Sequence, residues 1–233
     1  TAGLYVGAPV FGVGIPAGAT VGSVTGTTTF VLTGTTTGSG TATSFQVGTA
    51  GNSYSGGTVI NGATLTLNAP VGSIVIPAGG LTINGGTVTM TTNAGQIAPT
   101  NAVTLNGGST LTLVGANTLG ALTFNNTGGT TATPVSLAAG TLLTITGDIT
   151  ASSNNIAGPS TLSGTAVDIG TGVRTITANP VTFDASPGGT VISPYTPTLN
   201  ITAVVQSGVS AAGTGAGSLI KAGNGRSEEH TSE

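Results

Sequence analysis

The residues of this chain that could do acid–base or metal chemistry are few: Asp148, Asp168, Asp184, Arg174 and Lys221, and then a terminal burst of Arg226, Glu228, Glu229, His230 and Glu233. Glycoside hydrolysis would need two carboxylates at a set separation. Asp148, Asp168 and Asp184 follow one another at intervals that can bring two of them onto neighbouring turns of a repeating fold. The simpler reading is three turn aspartates. Arg174, which follows Asp168 across IGTGV, reads as a loop salt-bridge partner or, in the sharper reading, as the base of a polyuronate lyase. The chain has one histidine and no cysteine, so thiolate and disulfide chemistry are excluded and metal-ligand spacing is absent. The glycine run Gly213–Gly217 opens no helix, so it reads as a linker and not as a phosphate cradle. Basic residues are too few for a nucleic-acid groove. The expectation is therefore no catalytic, cofactor-binding or metal-binding residue, no cofactor, and no enzyme.

Hydroxyl groups are the chemistry this chain has in quantity. Thr-x-Thr pairs stand at 64/66, 87/89 and 110/112, separated by one constant interval, with further pairs at 144/146 and 175/177. On a repeating scaffold, Thr64, Thr66, Thr87, Thr89, Thr110 and Thr112 would form a flat outward array. Such an array resembles the ice-binding faces of other β-helices. Threonine is also the ordinary outward residue of a charge-poor β-solenoid.

The elements that would position such an array are strands. Apolar and hydroxyl residues alternate in TLTL at 64–67, LTIN at 81–84, TVTM at 87–90, VTLN at 103–106 and LTFN at 122–125. Period-2 alternation with β-branched Thr and Val is the mark of a half-buried strand. Leu81, Val103 and Leu122 recur at nearly the same step as the Thr-x-Thr pairs, with the second interval somewhat shorter. A period of roughly 20 residues carrying short strands predicts one coil of a solenoid, and stacked coils bury a face that one coil cannot. The fold expected is all-β: a right-handed parallel β-helix preceded by a small β module. A tandem β-sandwich is the alternative, since Asn61-Gly62, Asn84-Gly85 and Asn106-Gly107 also suit hairpin turns. The stretches ASSNNIAGPSTLSG at 151–164 and ASPGGTVISPYTPT at 185–198 read as longer loops that leave the coil.

Composition sets further bounds. Charged residues are 4%, against roughly 25% in an ordinary domain. The hydrophobic fraction of 37% still supplies a core. No run approaches the ~18 apolar residues of a membrane helix, so no membrane insertion is expected of this chain. Residue 1 is Thr and no charged-then-apolar leader follows, which reads as an internal or processed piece. The expected domains are 1–44, a small β module or N-terminal cap ending in the junction Thr35–Ser44, then 45–225, the β-helix repeats, then a tail at 226–233.

Two stretches resemble the autotransporter-associated β-strand repeat. GNSYSGGTVINGATLTL at 51–67 is similar to its second half through Asn52, Tyr54, Gly57, Thr58, Ile60 and Leu65. GSLIKAGNG at 217–225 is similar to its first half, L-x-K-x-G-x-G, through Leu219, Lys221, Gly223 and Gly225. The segment Ser109–Phe124 echoes it again, with Leu119 where the family has tyrosine. The resemblance implies a passenger-type β-helix, secreted or displayed on the outer-membrane surface of a Gram-negative bacterium, serving as stalk, adhesin or self-association surface. Its partners would be a host surface, glycans or another copy.

The tail RSEEHTSE at 226–233 is similar to the translation of a common short-read sequencing adapter, which implies a non-native ending. The function expected is thus a structural surface passenger or adhesin fragment. The alternatives are a phage tail-fibre or appendage segment, for which the N-terminal GVGIPAGATVGSV at 12–24 has a similar style, a carbohydrate-binding or carbohydrate-active β-helix, and an ice-binding threonine array.

Overall fold

A computed structural model describes residues 6–8, 10–12, 15, 19–25, 30–33, 45–47, 51–69, 71–128, 133–208 and 217–229. The junction read at Thr35–Ser44, the glycine run before Gly217, and His230 lie outside these residues.

The alternating segments form the expected strands, and they pair in parallel. The first sheet stacks Thr58–Asn61, Leu81–Asn84, Val103–Asn106, Leu122–Asn126, Ile149–Ser153 and Val173–Thr182, with Ser218–Ala222 beside the last. The second stacks Thr64–Leu67, Thr87–Met90, Thr110–Thr112, Ser136–Ala138, Ser160–Ser163, Leu199–Ile201 and Ser227–Glu229. A third holds Ala116–Leu119, Leu142–Ile145, Ala166–Asp168 and Val204–Gln206, and the bridge Ile76↔Ile97 is the parallel pairing that follows the second-sheet strands of the two earliest coils. The chain is a β-solenoid of about 6 turns. The sandwich alternative is thereby corrected. The Asn-Gly pairs turn corners between the first and second sheets and do not close hairpins.

Those corners show why glycine sits there. Gly85 has φ +61°, a left-handed conformation that disfavours side chains. At Gly86 an added Cβ would stand 2.6 Å from the Ala63 carbonyl oxygen of the coil before, so the backbones stack there at a distance that only glycine allows. Buried amides complete the turns. Asn101 Oδ1 accepts from the amides of Gly79 (3.0 Å) and Gly80 (2.9 Å), and Gln96 Oε1 accepts from Ala69 N (2.7 Å). A buried backbone donor left unbonded would cost roughly 1–3 kcal/mol, which explains fully buried Asn and Gln in an otherwise aliphatic interior.

The core is a set of in-register stacks. Leu81, Val103, Leu122, Ile149 and Ile176 form one line, and Ile83, Leu105, Phe124 and Ala151 form another. Phe124, the largest fully buried side chain, has Leu105 on one side and Ala151 on the other, so a small neighbour offsets the ring's volume.

Backbone pairing separates the two stretches read as loops that leave the coil. The stretch 151–164 does not leave the coil: it ends one strand of the first sheet and contains Ser160–Ser163 of the second. The stretch 185–198 does leave, folding Val191–Ser193 back antiparallel on Val181 and Thr182. The tail segment Ser227–Glu229 lies parallel to Leu199–Ile201, with Arg226 Nη2 2.8 Å from Glu228 Oε1. Ladder hydrogen bonds are made by the backbone, so a sheet edge accepts a polar sequence as readily as an apolar one.

Ahead of the solenoid, Thr20–Val24 pairs antiparallel with Phe30–Thr33, and Val10–Gly12 with Phe45–Val47. Ala8, Val10 and Val21 form a separate small core.

Candidate functional site

The six threonines singled out by spacing come together on the second sheet. Thr64, Thr87 and Thr110 are in register, and Ser136 and Thr161 continue that rank. Thr66, Thr89 and Thr112 form the second rank, which runs on to Ala138 and Ser163. All six point outward, because the residues between them, Leu65, Val88 and Leu111, pack in or against the core. Strand geometry sets the array at about 4.8 Å between coils and about 6.6 Å along each strand. The other two pairs do not join it. Thr144 belongs to the third sheet, and Thr175 and Thr177 to the first.

The first sheet holds a longer rank that the spacing of Thr-x-Thr pairs does not reveal. Thr82, Thr104, Thr123, Thr150 and Thr177 are in register over five coils. Beside it runs an amide ladder. Asn84 Nδ2 donates to Asn61 Oδ1 (2.6 Å), Asn106 Nδ2 to Asn84 Oδ1 (2.6 Å), and Asn125 Nδ2 to Asn106 Oδ1 (2.7 Å). Further along the same sheet, Asn179 Nδ2 donates to Ser152 Oγ (2.9 Å). Aligned amides polarise one another, so the ladder gains from its length. The signal for it was present: Leu81-Thr-Ile-Asn84, Val103-Thr-Leu-Asn106 and Leu122-Thr-Phe-Asn125 share one pattern. Asparagine counted there as strand-end punctuation hides the ladder.

The aspartates bond to backbone. Asp148 Oδ1 accepts from Thr175 N (2.9 Å) on the next coil. Asp168, buried, accepts from the amides of Gly170 and Gly208, both at 2.8 Å. Asp184 Oδ1 accepts from Ser186 N (3.2 Å). Arg174 Nε donates to the Ile145 carbonyl (3.2 Å). These contacts do what a turn or a coil junction needs. Among the described residues no three of His, Cys, Asp and Glu gather into a metal-binding group.

The segments quoted for the family resemblance have a clear local geometry. Lys221 Nζ donates to the carbonyls of Ala222 (2.9 Å), Gly223 (3.3 Å) and Gly225 (3.0 Å), closing a cation over a turn. A Cβ at Gly223 or Gly225 would overlap the carbonyls of Ala178 and Asn179 on the coil beneath. Asn52 Nδ2 donates to the Val75 carbonyl (2.6 Å), and Tyr54 Oη lies 2.6 Å from Thr58 Oγ1.

The polar side chains with good geometry thus serve two ends: corner and ladder bonds inside the molecule, and two flat hydroxyl-bearing faces outside it. Comparison of the chain with family models, with curated proteins and with solved structures found no match.

Proposed function

We propose that this chain is a structural segment of a secreted or surface-displayed protein, a β-solenoid stalk or adhesin passenger of a Gram-negative bacterium. The observation that supports this reading most is the axial register of core and polar ranks through successive coils. Such a rod gives reach and stiffness with few charges, and its polar groups are engaged in holding coils together. The L-x-K-x-G-x-G and N-x-Y segments, with their Lys221 and Asn52 caps, fit a repeat built to stack. We also read Arg226–Glu233 as non-native. Sequencing the source DNA across the Gly225–Arg226 junction tests both points. Continuation into further repeats and then a barrel-coding region supports the passenger reading. Neighbouring virion structural genes would replace it with a tail-fibre segment. Genomic RSEEHTSE codons would overturn the non-native tail.

The threonine ranks favour a second reading, binding of an ordered lattice such as ice, because Thr64, Thr87 and Thr110 stand in true register. Thermal hysteresis of the purified chain at high concentration, reduced by Thr89→Tyr, would support it. Absence of hysteresis sinks it.

A further inference from the structure

The amide ladder of the first sheet has a direction, and its ends differ in chemistry. Each Nδ2 donates toward the coil before: Asn125 to Asn106, Asn106 to Asn84, Asn84 to Asn61. Asn61 accepts the last of these bonds and donates to no ladder member. Asn61, Asn84 and Asn106 are each followed by glycine. An Asn-Gly step is able to modify itself. The glycine amide nitrogen loses its proton and attacks the asparagine Cγ. A new C–N bond closes a succinimide ring, and the side-chain nitrogen leaves as ammonia. Water then opens the ring at either carbonyl, giving aspartate or its backbone isomer.

The fold protects these three steps unequally. Thr58–Asn61 is the edge strand of the first sheet and pairs on one side, with Leu81–Asn84. Leu81–Asn84 and Val103–Asn106 are paired on both sides. An edge strand opens more readily than one locked between neighbours. Asn61 and Gly62 are exposed, whereas Asn84 and Asn106 are half-buried. Gly62 N donates to the Asn84 carbonyl alone (2.8 Å), while Gly85 N is shared between Asn106 O (3.1 Å) and Ser109 Oγ (3.0 Å). Space differs as well. A Cβ at Gly62 would meet nothing within 4 Å, and one at Gly107 would stand 2.6 Å from the Thr127 carbonyl oxygen. The first corner has room to rearrange into a ring, and the third does not.

The product sorts the positions in the same way. An ionised carboxylate only accepts hydrogen bonds. At position 61 it would keep the bond from Asn84 Nδ2 and strengthen it by charge. At position 84 or 106 it would lose the donated bond and set two acceptor oxygens against each other where a 2.6 Å bond now stands. We propose that Asn61 is a self-modification site, converted to an acidic residue without an enzyme, and that the ladder holds Asn84 and Asn106 against the same reaction. The conversion places a new carboxylate at the first corner of a chain in which only 4% of residues are charged. Asn224-Gly225 is a different case. A Cβ at Gly225 would stand 2.1 Å from the Asn179 carbonyl oxygen, and Lys221 Nζ ties the Gly225 carbonyl (3.0 Å).

Incubation of the full chain in mildly alkaline buffer, followed by peptic peptide mapping in a mass spectrometer, tests this beside a sample held in urea. In the folded chain, acid should accumulate at position 61 at least about tenfold faster than at 84 or 106. In urea the three steps should react at similar rates. Asn61→Asp should keep the parent's unfolding midpoint at neutral pH, and Asn84→Asp should lower it. Similar rates at the three positions in the folded chain, an unreactive Asn61, a spread of rates that persists in urea, or equal midpoint losses in the two variants would each overturn the proposal.

Discussion

The early coils and the late coils are built on the same lattice but treat chain length differently. On the first sheet, one coil runs from Thr58 to its partner Leu81, and the next from Leu81 to its partner Val103. The span from Val173 to its partner Ser218 is close to twice as long. Coil-to-coil pairing stays parallel through both regions, so the added length is carried by excursions such as the one that holds antiparallel Val191–Ser193, as the slow growth of loop-closure cost allows. The early coils present Thr and Asn outward. The late coils put Phe183 and Tyr195 into water. The comparison teaches that the regular region uses its asparagines to bond coil to coil and turns its threonine ranks outward, and that the irregular region adds two aromatic rings that stand in water.

The sharpest way to break that comparison uses one residue type in both regions. Phe124→Ala removes a fully buried ring between stacked coils and should cost about 3–5 kcal/mol in denaturant or thermal unfolding. Phe183→Ala should fall within about 0.5 kcal/mol of the parent. The amide ladder gives the next effect. Asn106→Ala deletes two bonds, leaving Asn84 Oδ1 and Asn125 Nδ2 without these partners, and should cost about 1–3 kcal/mol. Gly85→Ala forces a side chain into a left-handed corner and should cost about 1–2 kcal/mol by the same measurement. Asn61→Ala, at the exposed end of the ladder, should cost about 0.5–1 kcal/mol. Smallest of all, Thr104→Val on the outward rank of the first sheet should change stability by less than about 0.5 kcal/mol. Equal costs for Phe124→Ala and Phe183→Ala would remove the distinction between the two regions.

The strands and the coil step were legible because alternation survives in every short segment and because Thr64, Thr87 and Thr110 repeat at one interval. The membership of faces was less so. Steps along the first sheet are uneven, short from Val103 to Leu122 and long from Leu122 to Ile149, so spacing alone cannot assign Thr144 or Thr175 to a sheet. Register there is set by corner lengths and by buried amides such as Asn101, whose role depends on partners in the preceding coil. Asparagine at a strand end looks the same in sequence whether it ends a turn or joins a ladder. The stretch 151–164 hid a strand, Ser160–Ser163, because its glycine, proline and asparagine neighbours mask a short run of weak alternation.

The stacking of coils can be measured directly, because the chain has no cysteine of its own. Spin labels on Thr64→Cys with Thr161→Cys, and on Thr64→Cys with Asn200→Cys, span four and five coil steps of the second sheet. At about 4.8 Å a step, the backbone separations should be about 19 Å and about 24 Å, so the two dipolar distances should differ by one step. Distances that fail to increase by a coil step, or that scatter broadly, would contradict a continuous parallel solenoid.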